Sequence, residues 1–177
     1  MSVDGRGTRN VECKARARDL AAVESRAARL ATQGPLDLEQ DDTFFATATG
    51  RLKLRQFSAE RGELIFYQRP DTDGPRLSSY VLAPTTAPAS LREALGRALG
   101  IVGRVVKRRR VYLVGRSRVH LDRVEGLGDF VEIEVVLAAG EPAADGETEA
   151  RRLMQSLGIR DEDLVAGAYL DLLSRSG

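Results

Sequence analysis

Charge alternates with a period of two along most extended segments of this chain, and that alternation limits its fold more than any other feature. Residues 10–18 (NVECKARAR) put Val11, Cys13, Ala15 and Ala17 on one face and Glu12, Lys14, Arg16 and Arg18 on the other. The pattern returns in RLKLRQF (51–57), ELIFYQR (63–69), and the stretches 104–114, 117–124 and 130–137. One parity per strand collects Arg51, Lys53 and Arg55; Glu63 and Arg69; Lys107 and Arg109; Arg118 and Asp122; and Glu132 and Glu134. With the first strand, ten cations stand against five carboxylates, a local excess of +5 in a chain whose net charge is only +1. Three of the 27 basic residues are lysines (Lys14, Lys53 and Lys107), and all three lie on these faces.

Between the strands, Leu20, Val23, Ala27 and Leu30 keep helical spacing behind a candidate cap at Asp19, predicting a helix to about Gln33 before Gly34-Pro35. A hairpin is expected around Gly50, joining 44–49 to 51–57, with further strands at 63–69 and 79–83. The Pro/Thr-rich stretch 84–90 leads into a helix carrying Leu91, Leu95 and Leu99 on one stripe. Three strands follow, turned at Gly115-Arg116 and around Gly126–Gly128, then helices at about 147–157 and 161–174. The expected class is α+β, with a large antiparallel sheet and surrounding helices. It is expected to form one domain over residues 1–177, with its core at about 9–174.

Composition narrows the function. A 42% hydrophobic content supports a packed core, and no apolar run approaches the ~18 residues of a membrane span. The polar segment 1–10 lacks the apolar stretch of a secretion signal, so a cytoplasmic protein without membrane partners is expected. One cysteine and one histidine, Cys13 and His120, exclude a disulfide framework, a multi-cysteine zinc site and a histidine-based metal centre. Cys13 opposes Glu12 and Lys14 in parity, which predicts a core thiol. Nine aromatics without tryptophan offer little base stacking. In the VKRRR run (106–110), Arg108 and Arg110 point away from Lys107 and Arg109, so no nucleic-acid partner is expected.

A sheet with one charged face ordinarily turns that face to water. Closing the sheet into a barrel directs the charges at one another across a lumen, and a buried positive excess requires an anionic ligand. Arginine grips phosphate bidentately and lysine as a point charge, so walls of this kind suit a polyphosphate. Carboxylates in the same space repel that ligand unless they hold a hard divalent cation. Glu132 and Glu134 share a face, and Glu12 and Asp122 would join them around Mg²⁺ or Mn²⁺. Phosphoryl or nucleotidyl transfer on a triphosphate follows from that chemistry.

The ordered set Glu12-x-Lys14, Arg51-x-Lys53-x-Arg55, Glu63 with Tyr67-x-Arg69, Lys107-x-Arg109, Asp122 and Glu132-x-Glu134 resembles the CYTH superfamily of triphosphate tunnel enzymes. FYQRPD, SSY and LDRVEGLGDFVEIEV are most similar to its CyaB-type, class IV adenylate cyclase branch. The resemblance implies a closed antiparallel eight-stranded β-barrel, a triphosphate substrate and one or two Mg²⁺ or Mn²⁺ ions. It implies either a cyclase converting ATP to cyclic AMP and pyrophosphate, or a triphosphatase acting on thiamine triphosphate, inorganic triphosphate or nucleotides. Binding without turnover is a third reading. The substrate-binding set is Lys14, Arg16, Arg51, Lys53, Arg55, Glu63, Tyr67, Arg69, Lys107, Arg109 and Arg118. Metal ligands are Glu12, Asp122, Glu132 and Glu134, and Asp122, Lys53 and Glu134 are the catalytic candidates. His120 is a possible proton shuttle, though a structural or phosphate-contacting role is favoured, and Tyr169 is a core residue or tunnel cap. Asn10 stands where the family's opening Glu-x-Glu-x-Lys motif has its first Glu, which removes a charge from the metal site. The assembly is expected to be a monomer or homodimer.

Overall fold

The computed structural model describes residues 8–176. Residues 1–7, most of the segment read as lacking a secretion signal, lie outside the described residues. Eight strands close into an antiparallel barrel: β1 (Thr8–Arg16), β2 (Gln33–Phe45), β3 (Arg51–Ser58), β4 (Arg61–Gln68), β5 (Arg76–Thr85), β6 (Ile101–Val114), β7 (Ser117–Val124) and β8 (Gly128–Val136). Around the barrel they run β1-β5-β4-β3-β2-β6-β7-β8, with β8 pairing back onto β1. Four helices accompany them: α1 (Leu20–Leu30), α2 (Pro88–Leu99), α3 (Ala143–Leu157) and α4 (Tyr169–Ser176). None of these helices is long and apolar enough to cross a membrane.

The alternation now has a physical meaning. On β1, β7 and β8 the apolar parity (Val11, Cys13, Val119, Leu121, Val131, Ile133, Val135) faces outward, where α1 and α3 cover it with Leu20, Val23, Ala27, Leu153 and Leu157. Each Val, Leu or Ile among them, once fully buried, stabilises the fold by roughly 1.5–3 kcal/mol. The main core therefore lies between barrel and helices, and the charged parity is left facing the lumen. A second cluster (Phe44, Val105, Val124, Phe130, Tyr169 and Leu170) closes one end of the barrel.

Several boundaries differ from the sequence expectation. α1 starts behind the Asp19 cap, whose carboxylate accepts from the Ala22 amide at 3.0 Å, but it stops at Leu30. The chain is taken over there by β2, which begins at Gln33 rather than near Phe44 and pairs with β6 over most of its length. α3 starts earlier than expected, at Ala143. The expected helix over 161–174 is instead a 3-10 turn (Asp161–Asp163), an extended link and α4. The link runs straight because Leu164 bridges to Ala15 and the Val165 amide donates to the Lys14 carbonyl at 2.9 Å.

Candidate active site in the tunnel

The barrel encloses a cavity of about 520 Å³. Glu12, Lys14, Lys53, Arg55, Glu63, Tyr67, Arg69, Lys107, Arg109, Arg118, Glu132 and Glu134 line it. They come from six strands whose register brings Glu12 beside Glu134 and Lys14 beside Glu132 across β1 and β8. Across β7 and β8, Arg118 lies beside Glu134 and His120 beside Glu132.

Inside, the cations are held by the protein's own carboxylates. Asp122 accepts from Lys107 Nζ at 2.9 Å and from Arg109 Nε and Nη2 at 2.6 and 2.5 Å, while Arg109 also bonds Glu132. Opposite them, Asp42 accepts from Lys53 Nζ and bidentately from Arg55, each at 2.8 Å. Glu12 accepts from Arg69 at 2.5 Å, and Lys14 Nζ lies 3.4 Å from Glu132. Arg118 reaches Glu134 only at 3.4 Å.

These pairings set the protonation states. Burial opposes ionisation of Asp42, Asp122 and Glu132, but the adjacent Arg55, Arg109, Lys53 and Lys107 charges win, holding all three well below the usual carboxylate range. Burial pushes Lys14 and Lys53 down to about 8. It also lowers Lys107, where the Arg109 charge adds to the effect, and pushes the Tyr67 phenol up to about 12. The tunnel is thus a set of ionised pairs in which Lys14 and Lys53 hold their protons less firmly than a lysine in water.

One end is closed by the C-terminal segment. Tyr169 projects from α4 onto Phe130, and Lys14 Nζ lies 3.9 Å from its ring centroid. Lys14 Nζ and Arg69 Nη2 both donate to the Gly167 carbonyl at 3.1 Å. Gly167 has φ +80°, a conformation that glycine adopts without a Cβ penalty, and a Cβ there would also meet Asp171 Oδ2 at 3.0 Å. Arg51 donates to both Asp171 carboxylate oxygens, at 3.0 and 2.8 Å.

The structure therefore separates the expected residues. Arg16 is exposed at the end of β1, donating to the Leu127 carbonyl and lying over the Phe130 ring, and it does not line the cavity. Arg18 pairs outside with Glu162 and Asp163. Arg51, the first residue of β3, turns to α4 instead of the lumen. Asp122 has no exposed surface and sits behind the lining. Cys13 is a buried free thiol, pushed by burial up to about 12. The sequence reading missed Asp42 and Gln40 in the lining, and Arg76, which is buried with its guanidinium 3.7 Å from Glu12. Among the described residues, seven of the ten assigned cations line the cavity against six carboxylates once Asp42 and Asp122 are counted, so the +5 excess falls to +1.

Among the described residues no three His, Cys, Asp or Glu side chains form a ready metal cage. Glu12 and Glu134 are nonetheless cross-strand neighbours, and Asn10 Oδ1 is buried on the same wall without a hydrogen-bond partner. Oxygen donors of this kind fit a hard cation whose remaining ligands are phosphate oxygens and water. Asp122 already accepts from Lys107, Arg109 and the Tyr169 hydroxyl and would have to exchange these partners to join a cation.

The CYTH domain model matches residues 8–169. Adenylate cyclase CyaB of Aeromonas hydrophila is 27% identical over 178 residues, covering 96% of this chain and 91% of that protein. Among solved structures, PH1012 from Pyrococcus horikoshii superposes with a TM-score of 0.80 at 22% identity, over 93% of this chain and 99% of its own. HpAC1 from Hippeastrum, a candidate adenylyl cyclase that reveals a dominant triphosphatase activity, superposes with a TM-score of 0.65 at 17% identity, over 95% of both chains. With the eight-stranded barrel, the inward charges and a family match across nearly the whole described length, this chain belongs to the CYTH domain family.

Proposed function

We propose that the protein binds a triphosphate in the tunnel and breaks one of its phosphoanhydride bonds, with CyaB-like cyclisation of ATP to cyclic AMP and pyrophosphate as the first reading. The convergence of seven cations on one enclosed cavity is the observation that carries it. Lys14, Arg55, Arg69, Lys107 and Arg109 bind the phosphates, exchanging their internal carboxylate partners for phosphate oxygens. Arg55 and Arg109 already hold carboxylates bidentately, the geometry a phosphate also accepts. Lys53 neutralises charge developing at the reacting phosphorus. Asp122 is a positioning residue that fixes Lys107 and Arg109. Glu12 and Glu134, with Asn10 and Glu132 beside them, would hold Mg²⁺ or Mn²⁺, which supplies Lewis-acid polarisation of phosphate oxygens when bound.

Hydrolysis of the terminal phosphate is the second reading, favoured by the structural likeness to the Hippeastrum protein with dominant triphosphatase activity. Both readings use the same phosphate clamp. Incubating the protein with Mg²⁺ or Mn²⁺ and ATP, thiamine triphosphate or inorganic triphosphate, then resolving products, tests them. Cyclic AMP with pyrophosphate supports cyclisation and orthophosphate supports hydrolysis. Binding without product supports a non-catalytic triphosphate-binding role.

A further inference from the structure

The carboxylates suited to a divalent cation are held by the tunnel's own cations. Glu12 Oε1 accepts from Arg69 Nη1 at 2.5 Å, and Arg76 Nη2 lies 3.7 Å from the same oxygen. Glu132 is gripped from both sides: Arg109 bonds Oε2, and Lys14 Nζ stands 3.4 Å from Oε1. Glu134 is held more loosely, with Arg118 Nη1 at 3.4 Å and His120 Nε2 at 3.9 Å. Arg69, Arg109 and Lys14 are also three of the five cations given above to the phosphates. The groups for one ligand are therefore locked to the groups for the other.

Charge decides what each ligand meets. To reach a cation entering by itself, Glu12 must turn from Arg69, which stays close by and repels the newcomer. A triphosphate entering by itself draws Arg69, Arg109 and Lys14 onto its oxygens. Glu12 and Glu132 are then left as unpaired buried anions beside it, which is costly. With both ligands present, the three cations turn to phosphate and the two glutamates turn to the metal, so every charge keeps a partner. The register allows this exchange over a short distance, because Glu12 lies beside Glu134 and Lys14 beside Glu132 across β1 and β8. Arg69 is also incompletely satisfied where it stands: its Nε is buried without a hydrogen-bond partner, a donor in reserve for a phosphate oxygen.

We infer that Arg69 is a latch on Glu12, and that triphosphate binding completes the cation site, which does not stand ready in the free protein. This rests on the proposed triphosphate function of the tunnel and deepens it. Each ligand raises the affinity for the other, by the same factor in both directions.

Calorimetry and the electron paramagnetic resonance signal of free Mn²⁺ measure the coupling. The ligands are Mn²⁺ alone, a triphosphate with methylene bridges in EDTA, and the two together; the bridged analogue resists cleavage, so binding alone is read. After correction for the complex they form in solution, each is expected to bind at least about tenfold tighter in the presence of the other, within the ~5–150-fold usual for coupled sites. Independent affinities would mean a preformed cation site, and overturn the latch while leaving the triphosphate tunnel standing. If the analogue binds under no condition, the tunnel reading itself falls and the latch with it.

Two variants read the latch through opposite signs. Arg69→Ala is expected to tighten Mn²⁺ alone by roughly fivefold while weakening the analogue. The near-isosteric Glu12→Gln, which carries the test should Arg69→Ala fail to fold, is expected to tighten the metal-free analogue and weaken its Mn²⁺ complex. Affinities that all fall together in Glu12→Gln, with its circular dichroism unchanged, overturn the latch.

Discussion

The Tyr169 hydroxyl donates to Asp122 Oδ2 at 2.9 Å, on the carboxylate that already accepts from Lys107 and Arg109. This bond joins the last helix of the chain to the most deeply buried acid of the barrel. Tyr169→Phe keeps the ring under Lys14 and Lys107 and removes only the hydrogen bond, so it is expected to cost about 1–2 kcal/mol of stability. Tyr169→Ala also uncovers the tunnel end and is expected to cost clearly more. Urea unfolding of the two variants measures the difference, and equal losses would mean that the ring contributes nothing.

Asp42→Asn strips the countercharge from Lys53 and Arg55. Breaking a buried pair on one side typically costs about 3–5 kcal/mol, so the free variant is expected to melt well below the wild type. Triphosphate binding should tighten in the same variant, because no carboxylate competes for the two cations. Thermal melts with and without ligand measure both effects, and a variant with unchanged melting would remove Asp42 from the charge network.

The free protein holds Lys14 and Lys53 at about 8, depressed first by burial. Below that pH both lysines carry a proton; above it they lose it. A bound triphosphate favours the protonated forms, so affinity is expected to be full below pH 8 and to decline as pH rises through it. Binding above pH 8 should take up protons, detectable by calorimetry in buffers of different ionisation heat. Proton release there would contradict the assignment.

Arg16→Ala is expected to leave triphosphate affinity within about twofold, as for a surface charge worth little in water. Arg109→Ala removes a bidentate buried group and is expected to weaken binding more than tenfold, in line with charge-assisted bonds of about 1.5–3 kcal/mol. Comparable losses at both sites would refute the separation of rim from tunnel.

Glu12→Gln and Glu134→Gln are expected to raise the Mg²⁺ or Mn²⁺ concentration needed for half-maximal turnover, with Glu132→Gln milder. Metal titrations of activity, with folding checked by circular dichroism, provide the measurement.

Much of this site is legible in the chain because a two-residue period assigns a face to every strand residue, and closure turns one face inward. That logic reaches Glu12, Lys53, Lys107, Arg109, Glu132 and Glu134. It fails on β2, whose polarity is reversed: Asp37, Glu39 and Asp41 point outward to pair with Arg110, Arg108 and Arg104, while the inward face mixes Leu36, Leu38 and Phe44 with Gln40 and Asp42. The outer face there meets α1 and α2 through ion pairs, Arg110 with Glu24 and Arg92 with Asp41, so it carries charge where the other helix-covered strands carry apolar residues. Arg16 and Arg51 keep the correct parity but occupy strand ends. Which rim residue is drawn to a neighbour such as Asp171 depends on how the C-terminal segment docks, a long-range contact that strand pattern does not encode.

The carboxylates lodged among the tunnel cations give the protein the character of an ion-exchange bed. Asp42, Asp122 and Glu132 are resident counter-ions, and an incoming polyanion would displace or join them instead of meeting bare charge. The cost of burying these cations is therefore offset within the fold before any ligand arrives, and specificity would come from how well a guest's oxygens replace fixed acids. Such a bed discriminates by spacing and geometry more than by total charge, so a monophosphate would be a poor guest in a lumen lined by seven cations.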